Sequence, residues 1–212
     1  MKLKKNKKIF IESTEYIYRV EHLTLEGTCS KDHGPRNVKI KNLYVDKFPV
    51  TNKEYFNFMK KTGYQPKDPQ RFLAHKPKNN QFYHPVVCVS QIDAMEYAKW
   101  VGGRLPLDEE WQYIAAGPNY YEWPWGDKFN SSYCNHDGNS LRSVNSHKKG
   151  SSWCGCEDMC GNAWEWTSGI HDDGQHQFAL IRGGSFYYAH DHWHVGGGAR
   201  KTNFHWGCPS LG

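Results

Sequence analysis

Apolar and polar positions alternate only in short stretches of this chain, and each stretch predicts one element. Over Asn37–Val45 (NVKIKNLYV) the period is two, as in a half-buried strand. After Asp46–Thr51 the period lengthens. Thr51 and Glu54 have capping-box spacing, Tyr55, Phe56, Phe58 and Met59 recur at helical intervals, and Gly63 supplies the stop. Gln65–Tyr83 is polar, aperiodic and broken by Pro66, Pro69 and Pro77, so a loop is predicted. Beyond the apolar run His84–Val89, Ser90 with Asp93 predicts a capped helix over Gln91–Trp100. Its inner face would carry Met95, Tyr97, Ala98 and Val101, and Gly102–Gly103 would end it. A third helix is predicted over Asp108–Ala116, and a strand over Phe178–Phe186. Between them, Gly117–Gly174 has no period and is dense in Gly, Asn, Ser, Trp and Cys. An unsupported loop of that length is uncommon inside one domain, so a bound metal is expected to fix it.

Composition narrows the class. A chain of 212 residues defaults to a single core. Its 9 Trp, 13 Tyr and 10 Phe, beside 20 Gly and 10 Pro, describe a loop-rich fold filled by rings rather than a helical bundle. The net charge of +5 is matched by Lys2, Lys4, Lys5, Lys7 and Lys8 alone. The remainder is nearly neutral, which argues against a nucleic-acid partner. Residues 1–36 are accordingly read as a basic tail and lead-in, and 37–212 as one domain. Glu12, Glu15 and Arg19 interrupt any signal-peptide core, and no stretch nears the roughly 20 apolar residues of a membrane span. The 7 Cys, an odd number, are then expected as mostly free thiols in a cytoplasmic setting.

Several segments occur together in a telling order: FPVTNKEYFNFMKKTGY (48–64), HPVVCVSQIDAMEYAKWVGGRLPLDEEWQYIAAG (84–117), WPWGD (123–127), DMCGNAWEWTS (158–168) and IRGGSF (181–186). From about Val45 onward the chain resembles the formylglycine-generating-enzyme, or sulfatase-modifying-factor, superfamily. The resemblance implies an α+β, C-type-lectin-like fold with little regular secondary structure, a twisted antiparallel sheet and a few flanking helices. It also implies structural calcium. Relatives include copper-dependent formylglycine formers, iron-dependent enzymes that join sulfur to histidine derivatives, and binding proteins or silent paralogues, so the fold alone does not fix the function. Relatives also continue into one more strand where this sequence reaches Leu211–Gly212, so that strand is expected to be missing.

Within GNAWEW (161–166), Asn162, the Ala163 carbonyl and Glu165 are candidate calcium ligands, being hard oxygen donors. Alternatively, the tryptophans are core and Glu165 pairs with an arginine. CNHDG resembles the place of a second calcium, through Asn135 and Asp137, against an ordinary Asp-Gly turn. The family's copper thiolates fall, counting from Ser185, on Tyr188 and Trp193, and no cysteine lies between Phe178 and Gly207. Copper-dependent formylglycine formation is therefore not expected.

In their place stands AHDHWH (189–194). His190, His192 and His194 would share one strand face and are candidate ligands for iron or copper. On an extended strand they span about 13 Å, too far for one ion unless the chain bends. The other reading is a His-rich, aromatic cleft for a peptide or small polar ligand, lined by Ser185, Tyr187, Tyr188, His190, His192, Trp193 and Arg200. A protein partner or a homo-oligomer is a further expectation. Cys154, Cys156 and Cys160 lack the spacing of a zinc module; burial is expected for Cys156, and a Cys154–Cys160 disulfide only in an oxidising compartment.

Overall fold

The computed structural model of the protein describes residues 6–20, 34–136, 138, 140–172, 175–187 and 198–209. Four strands open it: β1 (Lys8–Ile11), β2 (Thr14–Tyr18), β3 (Arg36–Ile40) and β4 (Leu43–Asp46). β1 pairs antiparallel with β4 and β2 with β3, in registers that run on from Ile11↔Leu43 to Thr14↔Ile40. The ribbon breaks where Ser13 meets Asn42: the Ser13 N–H donates to Asn42 Oδ1 at 2.6 Å and Ser13 Oγ donates to the Ile40 carbonyl at 2.9 Å. The single predicted strand over 37–45 is thus two, bent at that corner. The predicted tail is also corrected in part. Ile11, Tyr16, Tyr18 and Val20 are buried in one cluster with Trp111, Ile114 and Met159, so residues 8–20 belong to the domain core. Their alternation with Glu12, Glu15 and Arg19 already has a strand's period, but the neighbouring lysines obscured it.

Four helices follow: α1 (Asn52–Thr62), α2 (Pro69–Ala74), α3 (Gln91–Trp100) and α4 (Asp108–Ala116). α1 and α3 lie where the capping patterns place them, α4 lies where it is predicted, and α2 corrects the predicted loop. Its start uses Asp68 as N-cap and Pro69 at the first position, a signal that polar flanks had hidden. α3 presents a different face from the one expected. Gln91, Asp93, Tyr97 and Ala98 are buried, whereas Met95 and Val101 are exposed. Buried Asp93 explains this orientation: it accepts the Tyr64 hydroxyl at 2.8 Å and the backbone N–H groups of Lys67 and Ser90 at 2.9 and 2.8 Å. The inner faces of α1, α2 and α3 meet in a ring cluster of Tyr55, Phe58, Phe72 and Tyr97. Each such ring is worth about 1.5–3 kcal/mol of burial.

At the start of α1 both halves of the capping box are made: Thr51 Oγ1 accepts the Glu54 N–H, and Glu54 Oε2 accepts the Thr51 N–H at 2.9 Å. Thr51→Ala should cost about 1 kcal/mol, a fall in Tm of about 2–4 °C for a domain of this size. Adding Glu54→Ala should cost less than the sum of the single changes, because both residues serve one cap. Thermal unfolding followed by circular dichroism checks it, and full additivity would refute the shared cap.

The second half holds β5 (Glu165–Asp172), β6 (Gln177–Arg182), β7 (Gly184–Ser185), β8 (Gly198–Ala199) and β9 (His205–Pro209). β6 lies between β5 and β9, both antiparallel. The predicted strand over 178–186 is interrupted at Gly183, whose φ of 88° turns the chain out of the sheet. α4 lies against β2, β3 and β5 and is buried on almost every side. Fold and class are therefore as the resemblance implied: α+β, few helices, small antiparallel sheets. No described helix is long and apolar enough to cross a membrane.

Candidate functional site

The turn before β5 ties three distant segments together. Gly161 N–H donates to the Gly183 carbonyl at 2.8 Å, Asn162 N–H to the Asn135 carbonyl at 2.7 Å, and Phe186 N–H to the Asn162 carbonyl at 3.0 Å. A side chain at Gly161 would run into the Asn135 backbone, so this position requires glycine. Asn162, fully buried with a φ of 60°, uses its amide in the same knot. Its Oδ1 accepts from Asn135 Nδ2 at 3.1 Å and from the Arg142 N–H at 3.0 Å, while its Nδ2 donates to Asp158 Oδ2 at 3.3 Å.

Two carboxylates stand on this knot. Burial pushes Asp158 up to about 7, beyond the relief that Asn162 gives, and Glu157 adds to the rise. Burial likewise lifts Glu165 to about 7; the Trp111 indole, donating to its Oε2 at 2.6 Å, opposes this and the Asp158 charge reinforces it. Glu165 therefore bonds to a tryptophan, where an arginine partner was the alternative. Two neighbouring acids held half-protonated near neutrality suit a hard cation, which would supply the missing positive charge. Of the residues expected as calcium donors, Glu165 has Asp158 as its neighbouring acid, while the amides of Asn135 and Asn162 hold each other. Among the described residues no group of three or more His, Cys, Asp and Glu is arranged around a metal position.

Next to the knot, β7 and β8 pair through Gly184↔Ala199 and Ser185↔Gly198, and of the residues expected to line one cleft, Ser185 and Tyr187 are not among those that line the cleft at Arg200. Ser185 is buried and Tyr187 exposed. Arg200 opens an exposed cleft of about 270 Å³ lined by Trp123, Ala199, Arg200, Lys201, Asn203 and Phe204. Its guanidinium lies 5.1 Å from the centre of the Phe204 ring, and Phe204 in turn meets Trp164 of the GNAWEW turn. Asn203 Oδ1 is shielded from water without a hydrogen-bond partner among the described residues. Trp123 also lines the cleft, with Trp125 stacked on it at 6.0 Å. Asp158, Trp123, Lys201, Asn203 and Phe204 were not singled out from the sequence. Asp158 had a signal, sitting in the DMCGNAWEW segment four residues before Asn162. Asp137, Tyr188, His190, His192, Trp193 and His194 lie outside the described residues. Cys156 is buried as expected, and its sulfur neighbour is Cys154, while Cys160 contacts Cys134.

The family of sulfatase-modifying factor enzyme 1-like domains matches residues 3–206, nearly the whole chain. The chain belongs to this family. The match starts well before Val45, in agreement with the N-terminal strands. Among relatives, the inactive C-alpha-formylglycine-generating enzyme 2 of Bos taurus is 28% identical over 76% of this chain and 72% of its own length. Hercynine oxygenase of Mycobacterium tuberculosis is 30% identical over 58% of this chain, and the match spans only 37% of that enzyme. Among solved structures, PvdO from Pseudomonas aeruginosa superposes with a TM-score of 0.73 at 20% identity, over 96% of this chain and 88% of that one. That likeness concerns the fold.

Proposed function

We propose that this member of the family is a binding domain, not a copper-dependent former of formylglycine, and that it takes a peptide or small polar ligand bearing a carboxylate. The cleft at Arg200 carries this reading. A guanidinium fork is suited to a carboxylate, Lys201 adds positive charge, and Trp123 and Phe204 offer faces for an apolar side chain. Counting from Ser185 along the family's spacing, the copper thiolates would fall on Tyr188 and Trp193, neither of which is a cysteine. A calcium ion is assigned to Asp158 and Glu165, with the Ala163 carbonyl, as a clamp that keeps the Trp164–Phe204 contact at the cleft. Its contribution is structural.

The test uses a short peptide with a free C-terminal carboxylate, titrated against tryptophan fluorescence. Saturable quenching is expected, about tenfold weaker for the C-terminal amide and for Arg200→Ala, the worth of roughly 1.4 kcal/mol. Equal binding of acid and amide, or no binding by either, would overturn the reading. Conversion of a peptide cysteine to formylglycine on addition of copper(I) would overturn its other half.

A further inference from the structure

Away from the cleft, the turn Ser152–Glu157 holds a second chemical group that the binding reading leaves unused. We propose that Cys154 and Cys156 form a reversible intramolecular disulfide, in which Cys154 reacts first and Cys156 closes the bridge. The two sulfurs lie 3.7 Å apart across the sequence Cys-Gly-Cys. Gly155 makes the approach possible through its φ of 93°, a conformation that side-chain-bearing residues rarely adopt. Space is not the reason, because a methyl group there would meet only Ile9 at 3.9 Å. The turn is fixed from both ends: the Ser152 N–H donates to the Cys156 carbonyl and the Gly155 N–H to the Ser152 carbonyl, each at 2.8 Å, and Trp153 Nε1 donates to the Tyr113 carbonyl at 2.9 Å.

The two thiols differ in the way the chemistry needs. Cys154 is partly exposed, with Ser152 Oγ 3.3 Å away, whereas Cys156 is 1% exposed. The neighbouring Cys156 sulfur, with help from Ser152, holds the Cys154 thiol down at about 6. The thiolate is the attacking species, so reaction begins at the exposed sulfur. With a low-molecular-weight disulfide as oxidant, Cys154 attacks one sulfur, forms the mixed disulfide and releases one thiolate. Cys156 gives up its proton to solvent and attacks Cys154 Sγ, expelling the second thiolate. One disulfide is reduced to two thiols, and the protein's two thiols become one disulfide. A second thiol pair, Cys134 and Cys160, is set side by side by the parallel bridge between Asn135 and Gly161, but both are buried, at 5% and 2% exposure. An oxidant meets Cys154 first.

The experiment exposes the reduced full chain to oxidised glutathione and maps thiols by mass spectrometry after non-reducing digestion. Expected is the loss of two hydrogens in the peptide containing Cys154 and Cys156, reversed by dithiothreitol. Cys156→Ser should stop at glutathione on residue 154, and Cys154→Ser should take up none in that peptide. On the unaltered chain, a chromogenic aryl disulfide at neutral pH should reach Cys154 at least tenfold faster than Cys88, whose thiol burial raises. That kinetic comparison does not depend on either variant folding. A bridge mapped to Cys134–Cys160, prior reaction at Cys88, or two persistent thiols at 154 and 156 would overturn the proposal.

Discussion

Asp108→Ala is expected to lower the stability of this domain by about 3–5 kcal/mol, the usual result of stranding one partner of a buried ion pair. For a chain of this length that corresponds to a fall in Tm of roughly 6–20 °C. The size follows from what Asp108 holds. Arg182 is fully buried and grips the carboxylate with two donors, Nε to Oδ1 at 2.7 Å and Nη2 to Oδ2, while the Tyr18 hydroxyl donates to Oδ2 as well. Removing the carboxylate leaves the guanidinium in the core with no counter-charge. Glu122→Gln is the control, since its pair with Lys201 is exposed on both sides and should be worth no more than about 1 kcal/mol.

A second measurement separates stability from site geometry. The remaining Arg182 nitrogen, Nη1, donates to the Thr202 and Phe204 carbonyls at 3.2 and 3.1 Å, which pins the loop that walls the cleft. Arg182→Met with Asp108→Leu should recover much of the stability lost in Asp108→Ala, because an apolar pair pays no desolvation cost. It should not recover peptide binding, since the two carbonyls have lost their donor. Thermal melts beside the fluorescence titration check both. Equal Tm losses for Asp108→Ala and Glu122→Gln would show that the buried pair does not hold the fold.

This cluster also marks where the sequence ceased to be readable. Capping signals are local, and they placed α1 and α3 because Thr51–Glu54 and Ser90–Asp93 act within one turn. The contact of Arg182 with Asp108 joins residues 74 apart in the chain, and no spacing rule reports it. The same holds for Phe204, which enters the cleft because Arg182 holds its carbonyl. Met95 and Val101 were read as inward because they are apolar, yet the hydrogen bonds of Asp93 turned the helix the other way. In the cleft, Arg200 was named in advance through the resemblance, whereas Asp158 gains its meaning from burial beside Glu165.

Burial of those two acids carries the last expectation, a weakening by calcium of the pH dependence of stability. Both carboxyls sit at about 7 in the metal-free fold, well above the ordinary range near 4 that the unfolded chain keeps. A group whose folded value is raised binds its proton more tightly when folded. Its stabilising effect is complete below about pH 4 and is lost as pH climbs through 7. Each ionised carboxylate then costs the fold on the order of 3 kcal/mol. In chelator, Tm should therefore fall between pH 5 and 8. The calcium proposed for this turn would bind the ionised pair and release its protons, so with calcium in excess Tm should fall less over that window than in chelator. The gain should be largest at pH 8, near 2.7 kcal/mol at a hundredfold excess over Kd. Magnesium should do less, since it gives up its water reluctantly and demands a strict octahedron. Asp158→Asn cannot ionise, so it should flatten the chelator profile and weaken the calcium response together. A Tm that ignores pH in chelator and calcium at pH 8 would remove the ion from this turn, and would leave the Asn135–Asn162 knot as its sole clamp.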